Sequence, residues 1–164
     1  MNQTIERTAL TNLICNEDYA RKVLPFIKSN YFDEREEQII FEEISNFVDK
    51  YKKIPTQTSL EIEVGERKDL NETQHKKIID IIKTFNPIEV DFEWLVDTTE
   101  RFCKDKAIYN AIVDGIKIID GKDKKRTPDA IPDILTDALS VSFDNSVGHD
   151  YIDCLLYTSD AADE

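Results

Sequence analysis

One segment of the sequence has glycine and lysine spacing close to that of a phosphate-binding loop. Gly115 to Asp123 reads Gly-Ile-Lys-Ile-Ile-Asp-Gly-Lys-Asp. The two glycines lie one residue further apart than in a nucleotide-binding loop, and Asp123 stands where that loop has the Ser or Thr that binds Mg²⁺. The segment also follows a long helical pattern instead of a buried strand, so its N–H groups would not converge on a phosphate. We expect no cofactor-binding residue here.

The acidic and imidazole side chains form no catalytic arrangement that spacing can identify. The paired acids are Glu36, Glu37, Glu42 and Glu43. Their positions in a helical pattern predict solvated helix faces and not an acid–base pair. His75 and His149 have no nearby Ser, Cys or carboxylate that would orient them for nucleophilic catalysis. We therefore predict no catalytic residue.

The three cysteines, Cys15, Cys103 and Cys154, show neither a Cys-x-x-Cys pair nor a histidine at ligand spacing. A zinc site is not expected, and no metal-binding residue is predicted. Cys15 and Cys103 are interpreted as reduced residues on the core side of their helices.

Two features suit contact with a partner. The basic residues that cluster in one predicted turn are Lys122, Lys124, Lys125 and Arg126. This cluster could contact an acidic partner or a phosphate backbone, and the alternative is an ordinary solvated turn. Trp94 could anchor a partner surface, or it could be a core residue at the start of a long helix.

Composition narrows the classes of protein further. The chain has 164 residues, 21 Lys and Arg against 34 Asp and Glu, and a net charge of −13. Such an acidic chain is poorly suited to wrapping nucleic acid by itself. It has no apolar stretch long enough to span a membrane, and only four glycines. These features are typical of a helical interaction protein, and we expect no membrane association.

The hydrophobic periodicity predicts an all-α fold with two parts. Residues 1–86 are expected to form a small multi-helix globular domain, with helix caps at Asn16, Asp33, Thr56 or Thr58, and Asn71. Residues 87–144 are expected to form a long antiparallel helical hairpin, because apolar residues continue at helical spacing from 89 to 120 and again after Thr127-Pro128. Residues 145–153 read as a linker.

The last eleven residues, 154–164, read CLLYTSDAADE. This string resembles the in-frame translation of a transposon-type sequencing adapter. We therefore treat residues 154–164 as an adapter-derived tail, and we expect the natural reading frame to continue past Asp153.

Several blocks of sequence carry a resemblance to a known family. The blocks in the first half are Leu13-Ile14, Tyr19 to Phe26, Tyr31-Phe32, Ile39-Ile40-Phe41 and Ile54-Pro55-Thr56. The later blocks are Trp94-Leu95-Val96, Thr99-Glu100, Ala130-Ile-Pro-Asp-Ile134, Ala138 to Asp144 and Val147 to Tyr151. Their order resembles the N-terminal region of DnaB-type hexameric replicative helicases. The later blocks, together with Lys22-Val23-Leu24-Pro25, resemble the helicases of T-even-type bacteriophages over residues 1–153.

The resemblance implies a hexameric ring that moves 5′ to 3′ along single-stranded DNA and unwinds the duplex by NTP hydrolysis. It further implies that the N-terminal region is a collar that binds primase and a helicase loader in the cytoplasm of an infected bacterial host. ATP and Mg²⁺ would belong to a motor domain, which lies C-terminal to this region in the family and is absent here. This fragment itself is therefore expected to be inactive.

In the family, hairpins of neighbouring subunits pair. The candidate inter-subunit residues by this resemblance are Phe102, Ile108, Ile112, Ile116, Ile134, Leu135 and Leu139. An alternative hypothesis is a free-standing acidic helical adaptor that binds a replication or host factor. A small helical enzyme is a weaker alternative, since no catalytic arrangement is found.

Overall fold

The structure, a computed structural model, describes residues 3–143, and in this range the chain forms α-helices and two short 3-10 helices without any strand. The all-α prediction is thereby confirmed for the described residues. The predicted linker 145–153, the predicted tail 154–164, His149 and Cys154 lie outside them. The helices are α1 (Gln3–Cys15), α2 (Glu17–Val23), α3 (Arg35–Tyr51), α4 (Gln57–Gly65), α5 (Glu72–Lys83), α6 (Phe92–Ile119) and α7 (Ile131–Leu139).

The chain divides into two compact units, residues up to 99 and residues from 100 onward. The first unit contains α1 to α5 and the start of α6, and the second contains the rest of α6 and α7. The sequence-based limits of 1–86 and 87–144 stay a prediction, because α6 continues from one unit into the other as a single helix.

Helix caps define where three helices of the first unit begin. The side chain of Asn16 accepts a hydrogen bond from the N–H of Tyr19 at 3.0 Å. Thr56 caps α4 and Asn71 caps α5, each in a reciprocal capping box with the residue three positions later. Such caps satisfy N–H groups that the first helical turn leaves unpaired. The predicted caps at Asn16, Thr56 and Asn71 are confirmed.

Helix α3 begins differently from the prediction. Asp33 was expected to cap it, but the helix starts at Arg35 and the preceding Glu34 makes no side-chain capping hydrogen bond. Gln38 instead holds the entry to the helix, because its Nε2 donates to the carbonyl of Phe32 at 2.8 Å. The prediction was wrong because α3 begins two residues after Asp33, which leaves Glu34 at the N-cap position. The Asp33 N–H donates to Glu6 of α1 instead.

The core of the first unit is built from apolar residues of all its helices. Its large, fully buried side chains include Leu10, Leu13, Tyr19, Phe32, Ile39, Ile40, Ile44, Leu60, Ile78, Ile82 and Leu95. Tyr19 and Thr99 share a buried hydrogen bond of 2.7 Å between their hydroxyl oxygens. Thr99 in turn donates to the carbonyl of Leu95 at 2.8 Å. The first two turns of α6 are therefore fixed within this unit.

Candidate interaction surfaces

Helix α6 buries one line of mostly small residues. This buried line consists of Cys103, Ala107, Ala111, Gly115 and Ile118. A methyl group added to Gly115 would lie 3.8 Å from Cγ2 of Ile131, so the returning chain passes close to the helix backbone there. At the other end, Glu100 accepts hydrogen bonds from the Ser142 hydroxyl (3.1 Å) and the Phe143 N–H (3.0 Å). Within the second unit, the chain after the turn therefore runs back antiparallel to α6.

A second apolar face of α6 is exposed. We define the α6 stripe as Tyr109, Ile112, Ile116 and Ile119, which are 62%, 50%, 53% and 70% exposed. Their spacing of three and four residues places them on one side of the helix, away from the buried line. Leu139 of α7 is also 70% exposed. Exposed apolar residues that follow one another along a helix are typical of a protein-binding surface.

The predicted inter-subunit residues differ in how much surface they offer. Ile112, Ile116 and Leu139 are exposed, whereas Ile108, Ile134 and Leu135 are half-buried. Phe102 is 5% exposed and therefore offers almost no surface to another molecule. The sequence could not separate these cases, because the apolar residues of α6 lie on two faces of the helix. The spacing of Tyr109 and Ile119 with Ile112 and Ile116 is the signal that identifies the exposed face.

The turn that follows α6 is organised by Asp123. One carboxylate oxygen of Asp123 accepts hydrogen bonds from the N–H groups of Lys125 (2.9 Å) and Arg126 (3.2 Å). The other pairs with the Arg126 guanidinium at 2.8 Å, and Asp114 lies 3.9 Å from the same group. The hydrogen bond from the Lys125 N–H lowers the pKa of Asp123, and the hydrogen bond from the Arg126 side chain adds a smaller effect in the same direction. Arg126 is thus engaged within the turn, unlike the three lysines of the predicted cluster.

The three lysines of the turn point to solvent. Lys122, Lys124 and Lys125 are exposed, and their ammonium groups pair with no carboxylate within residues 3–143. Gly121 precedes them with φ of +77°, a conformation that glycine adopts without steric cost. Of the two glycines in the segment Gly115 to Asp123, Gly121 therefore lies in the turn after α6, and Gly115 lies inside α6.

Two glutamates, Glu6 and Glu37, are buried in the first unit. Glu37 was predicted on a solvated face of its helix, but it is completely buried, and Glu6 of α1 is 1% exposed. Arg7 Nε donates to Glu37 Oε2 at 2.5 Å, and the Asp33 N–H donates to Glu6 at 3.3 Å. Burial, and then the hydrogen bond and charge of Glu37, raise the pKa of Glu6 to about 7. Glu37 Oε1 has no hydrogen-bond donor among the described residues. Glu6 is in hydrogen-bonding contact with the Glu37 carboxyl group, so a protonated Glu6 can donate to it.

The other predicted acidic pair lies in an ion-pair cluster. Arg67 pairs with Glu43 at 3.0 Å, Glu42 at 3.4 Å and Asp69 at 2.9 Å. The hydrogen bond and charge of Arg67 lower the pKa of Asp69 to about 2. His75 lies nearby, with Nε2 3.1 Å from the Arg67 carbonyl oxygen. The acids of this cluster are thus held in ion pairs with Arg67, and His75 contacts the Arg67 backbone.

The two described cysteines lie in different environments. Cys103 is buried, and its burial raises the pKa of the thiol to about 12. Cys15, which was interpreted as a core-side residue, is exposed at the end of α1. The interpretation was wrong for Cys15 because the core ends one residue earlier, at Ile14, which is 8% exposed. Within residues 3–143, no three His, Cys, Asp or Glu side chains are grouped so that they could hold a metal ion.

Comparison with known proteins identifies the family to which the chain is similar. A family model described as DnaB-like helicase N terminal domain matches residues 1–96. A protein of Enterobacteria phage T4, described as a DnaB-like replicative helicase, is 34% identical over 152 residues. The match covers 88% of this chain and 32% of that protein, so the chain spans about a third of the length of the curated relative it matches. No helix in the described part of the chain has the length and apolar composition needed to cross a membrane.

Proposed function

The chain belongs to the DnaB-like helicase N-terminal domain family, and we propose that it serves as the collar and partner-docking part of a phage replicative DNA helicase. The observation that carries the proposal is the 34% identity to the phage T4 helicase over 152 residues, which includes the whole of the second unit's helices. We propose that NTP-dependent 5′-to-3′ unwinding, with ATP, Mg²⁺ and single-stranded DNA, belongs to a further part of the protein. The setting would be the cytoplasm of the infected bacterial host.

The proposed role of the second unit is self-association. The α6 stripe exposes four large apolar residues along about three turns of helix, and Leu139 adds to the exposed apolar area. Covering this surface with the same surface of another copy would remove it from water, at a gain of roughly 25 cal/mol per Å². Such pairing fits a full-length helicase that assembles as a hexamer. We further propose that the collar binds primase and a helicase loader.

Analytical ultracentrifugation of the whole chain tests this self-association. We expect reversible association of the wild type, and we expect the double substitution Ile112→Asp with Ile116→Asp to weaken it by about 100-fold or more, since a paired interface would bury four carboxylates. Ile62→Asp is a matched control, because Ile62 is 58% exposed on α4, outside the stripe. A wild type that stays monomeric at high concentration would contradict the proposed pairing.

A further inference from the structure

An acidic surface with exposed apolar residues lies at the start of α6. We define the acidic patch as Ile88, Glu89, Phe92, Glu93, Trp94 and Asp97. Its apolar members Ile88, Phe92 and Trp94 are 63%, 40% and 53% exposed. Trp94 is therefore not the core residue that one reading of the sequence suggested. A large exposed aromatic residue beside other apolar side chains is typical of a binding site.

The charge around these apolar residues has one sign. Between Lys83 and Arg101 the sequence has five acidic residues and no basic residue. Asp91 is used within the chain, because it accepts a hydrogen bond from the Trp94 N–H at 2.8 Å. The carboxylates of Glu89, Glu93 and Asp97 form no ion pair within residues 3–143. Uncompensated carboxylates around an apolar surface favour a partner that brings both positive charge and apolar side chains.

The same chain carries a surface of the opposite kind. The three lysines of the turn, Lys122, Lys124 and Lys125, lie three to six residues after Ile119, which is 70% exposed, and the exposed acid Asp120 stands between. Three unpaired cations therefore stand beside an apolar residue. The patch presents three unpaired carboxylates beside three apolar residues, whereas residues 119–126 hold four basic and two acidic residues, so the two surfaces are opposite in sign.

We propose that the acidic patch of one copy binds the basic turn of a second copy. The contact joins two different surfaces, so beside the α6 stripe it gives each copy a second interface, through which an assembly can grow beyond two copies. Pairing of α6 stripes is symmetric and by itself yields dimers. The patch–turn contact would join such dimers, and in this respect its biological meaning rests on the proposed collar function.

Charge reversal tests the contact directly. Both variants carry Ile112→Asp and Ile116→Asp, so that stripe pairing is strongly and equally weakened in both. One has the patch reversed (Glu89→Lys, Glu93→Lys, Asp97→Lys), and the other has the turn reversed (Lys122→Glu, Lys124→Glu, Lys125→Glu). Each variant alone lacks a matching pair of surfaces, whereas a mixture contains an intact patch and an intact turn. We expect binding in the mixture at about 50 mM salt to be at least ~10-fold tighter than in either variant alone, and to disappear at about 500 mM salt.

A chain with both reversals restores the complementarity with the signs exchanged. It should therefore self-associate as tightly as the chain that carries only Ile112→Asp and Ile116→Asp. The control reverses three exposed acids elsewhere, Glu66→Lys, Glu72→Lys and Asp80→Lys, and should leave association unchanged despite the same change in net charge. Fluorescence anisotropy of labelled chains measures all of these affinities. No binding in the mixture at low salt would overturn the proposal, whatever the fate of stripe pairing. A double-reversal chain that fails to associate would do the same.

Discussion

The buried pair of Glu6 and Glu37 couples the protonation of one residue to the packing of two helices. Glu6 belongs to α1 and Glu37 to α3, and both are almost completely removed from water. Two ionised carboxylates in such a site would destabilise the fold, because the low dielectric strengthens their repulsion. Arg7 supplies one positive charge for Glu37. The pair is therefore best satisfied with a single proton, held on Glu6.

This arrangement predicts that the first unit loses stability as the pH rises. The folded-state pKa of Glu6 is raised from 4.5 to about 7, so its contribution is fully present below pH 4.5 and is lost as the pH passes through 7. Glu6→Gln keeps a donor without the charge, and should raise the unfolding free energy at pH 8 by about 2–3 kcal/mol, following the 1.36 kcal/mol per pKa unit. Urea unfolding of wild type and variant between pH 5 and about 8 measures the effect.

Asp80→Asn is the matched control for this experiment, because Asp80 is an exposed acid on α5. Its unfolding free energy should follow the wild type at every pH. Equal pH dependence in the wild type and in Glu6→Gln would show that the buried pair does not hold a proton in the way described.

Local and non-local residues differed in how well the sequence predicted them. The caps at Asn16 and Asn71 follow from a polar residue and its partner three positions later, so a short window contains all the information. The burial of Glu37 depends on α1, some thirty residues away in sequence. Helical periodicity places acids away from an apolar stripe, and it has no means of predicting that a second helix covers them.

At the scale of elements, α6 is the helix that a single hydrophobic stripe describes least well. Its buried line is formed by small residues, whereas its exposed stripe carries Tyr109 and three isoleucines. From Cys103 to Gly115 the buried line is therefore small, whereas Phe102 and Ile118, at its two ends, are large and buried. The sequence predicted the helix itself, and the family resemblance named Ile112 and Ile116 as candidate inter-subunit residues together with Phe102. It could not show that Phe102 is buried, since periodicity finds apolar faces without telling which face is covered.

Gly115 gives a prediction at the scale of this element. A methyl group at Gly115 would make an ordinary van der Waals contact with Ile131, and no neighbour would have to move. Gly115→Ala should therefore stabilise the chain by up to about 1 kcal/mol, the difference in helix propensity between the two residues. Thermal unfolding measures the change. Gly65→Ala is the comparison, since Gly65 is the last residue of α4 and has open space around it.

A smaller gain is expected for Gly65→Ala, because helix propensity counts less at a frayed end. If Gly115→Ala lowered the melting temperature instead, the close packing of the returning chain against α6 would be tighter than described.

At the scale of the whole molecule, the acidic composition determines which partners are open to the chain. The net charge of −13 repels a phosphate backbone, and the free lysines of the turn are few beside it. This composition therefore disfavours direct contact of this chain with nucleic acid. This conclusion was accessible from composition, whereas the helicase family itself came from specific blocks of sequence and not from any site.

We accordingly predict that the chain binds single-stranded DNA only weakly by itself. In about 150 mM salt, the dissociation constant of the complex with single-stranded DNA should be larger than about 100 μM. Fluorescence anisotropy with a labelled oligonucleotide measures it. Residual binding at low salt should vanish in the turn-reversed variant Lys122→Glu, Lys124→Glu, Lys125→Glu. Tight binding at physiological salt would contradict the assignment of DNA contacts to another part of the protein.

The α6 stripe also bears on the colloidal behaviour of the chain. At neutral pH the excess of carboxylates keeps separate copies apart, so that only well-matched faces meet. As the carboxylates become protonated in acid, this repulsion weakens while Tyr109 and the isoleucines remain exposed to water. Disordered clumping and turbidity would then compete with ordered pairing. The surplus negative charge thus limits non-specific association of copies through an exposed apolar surface.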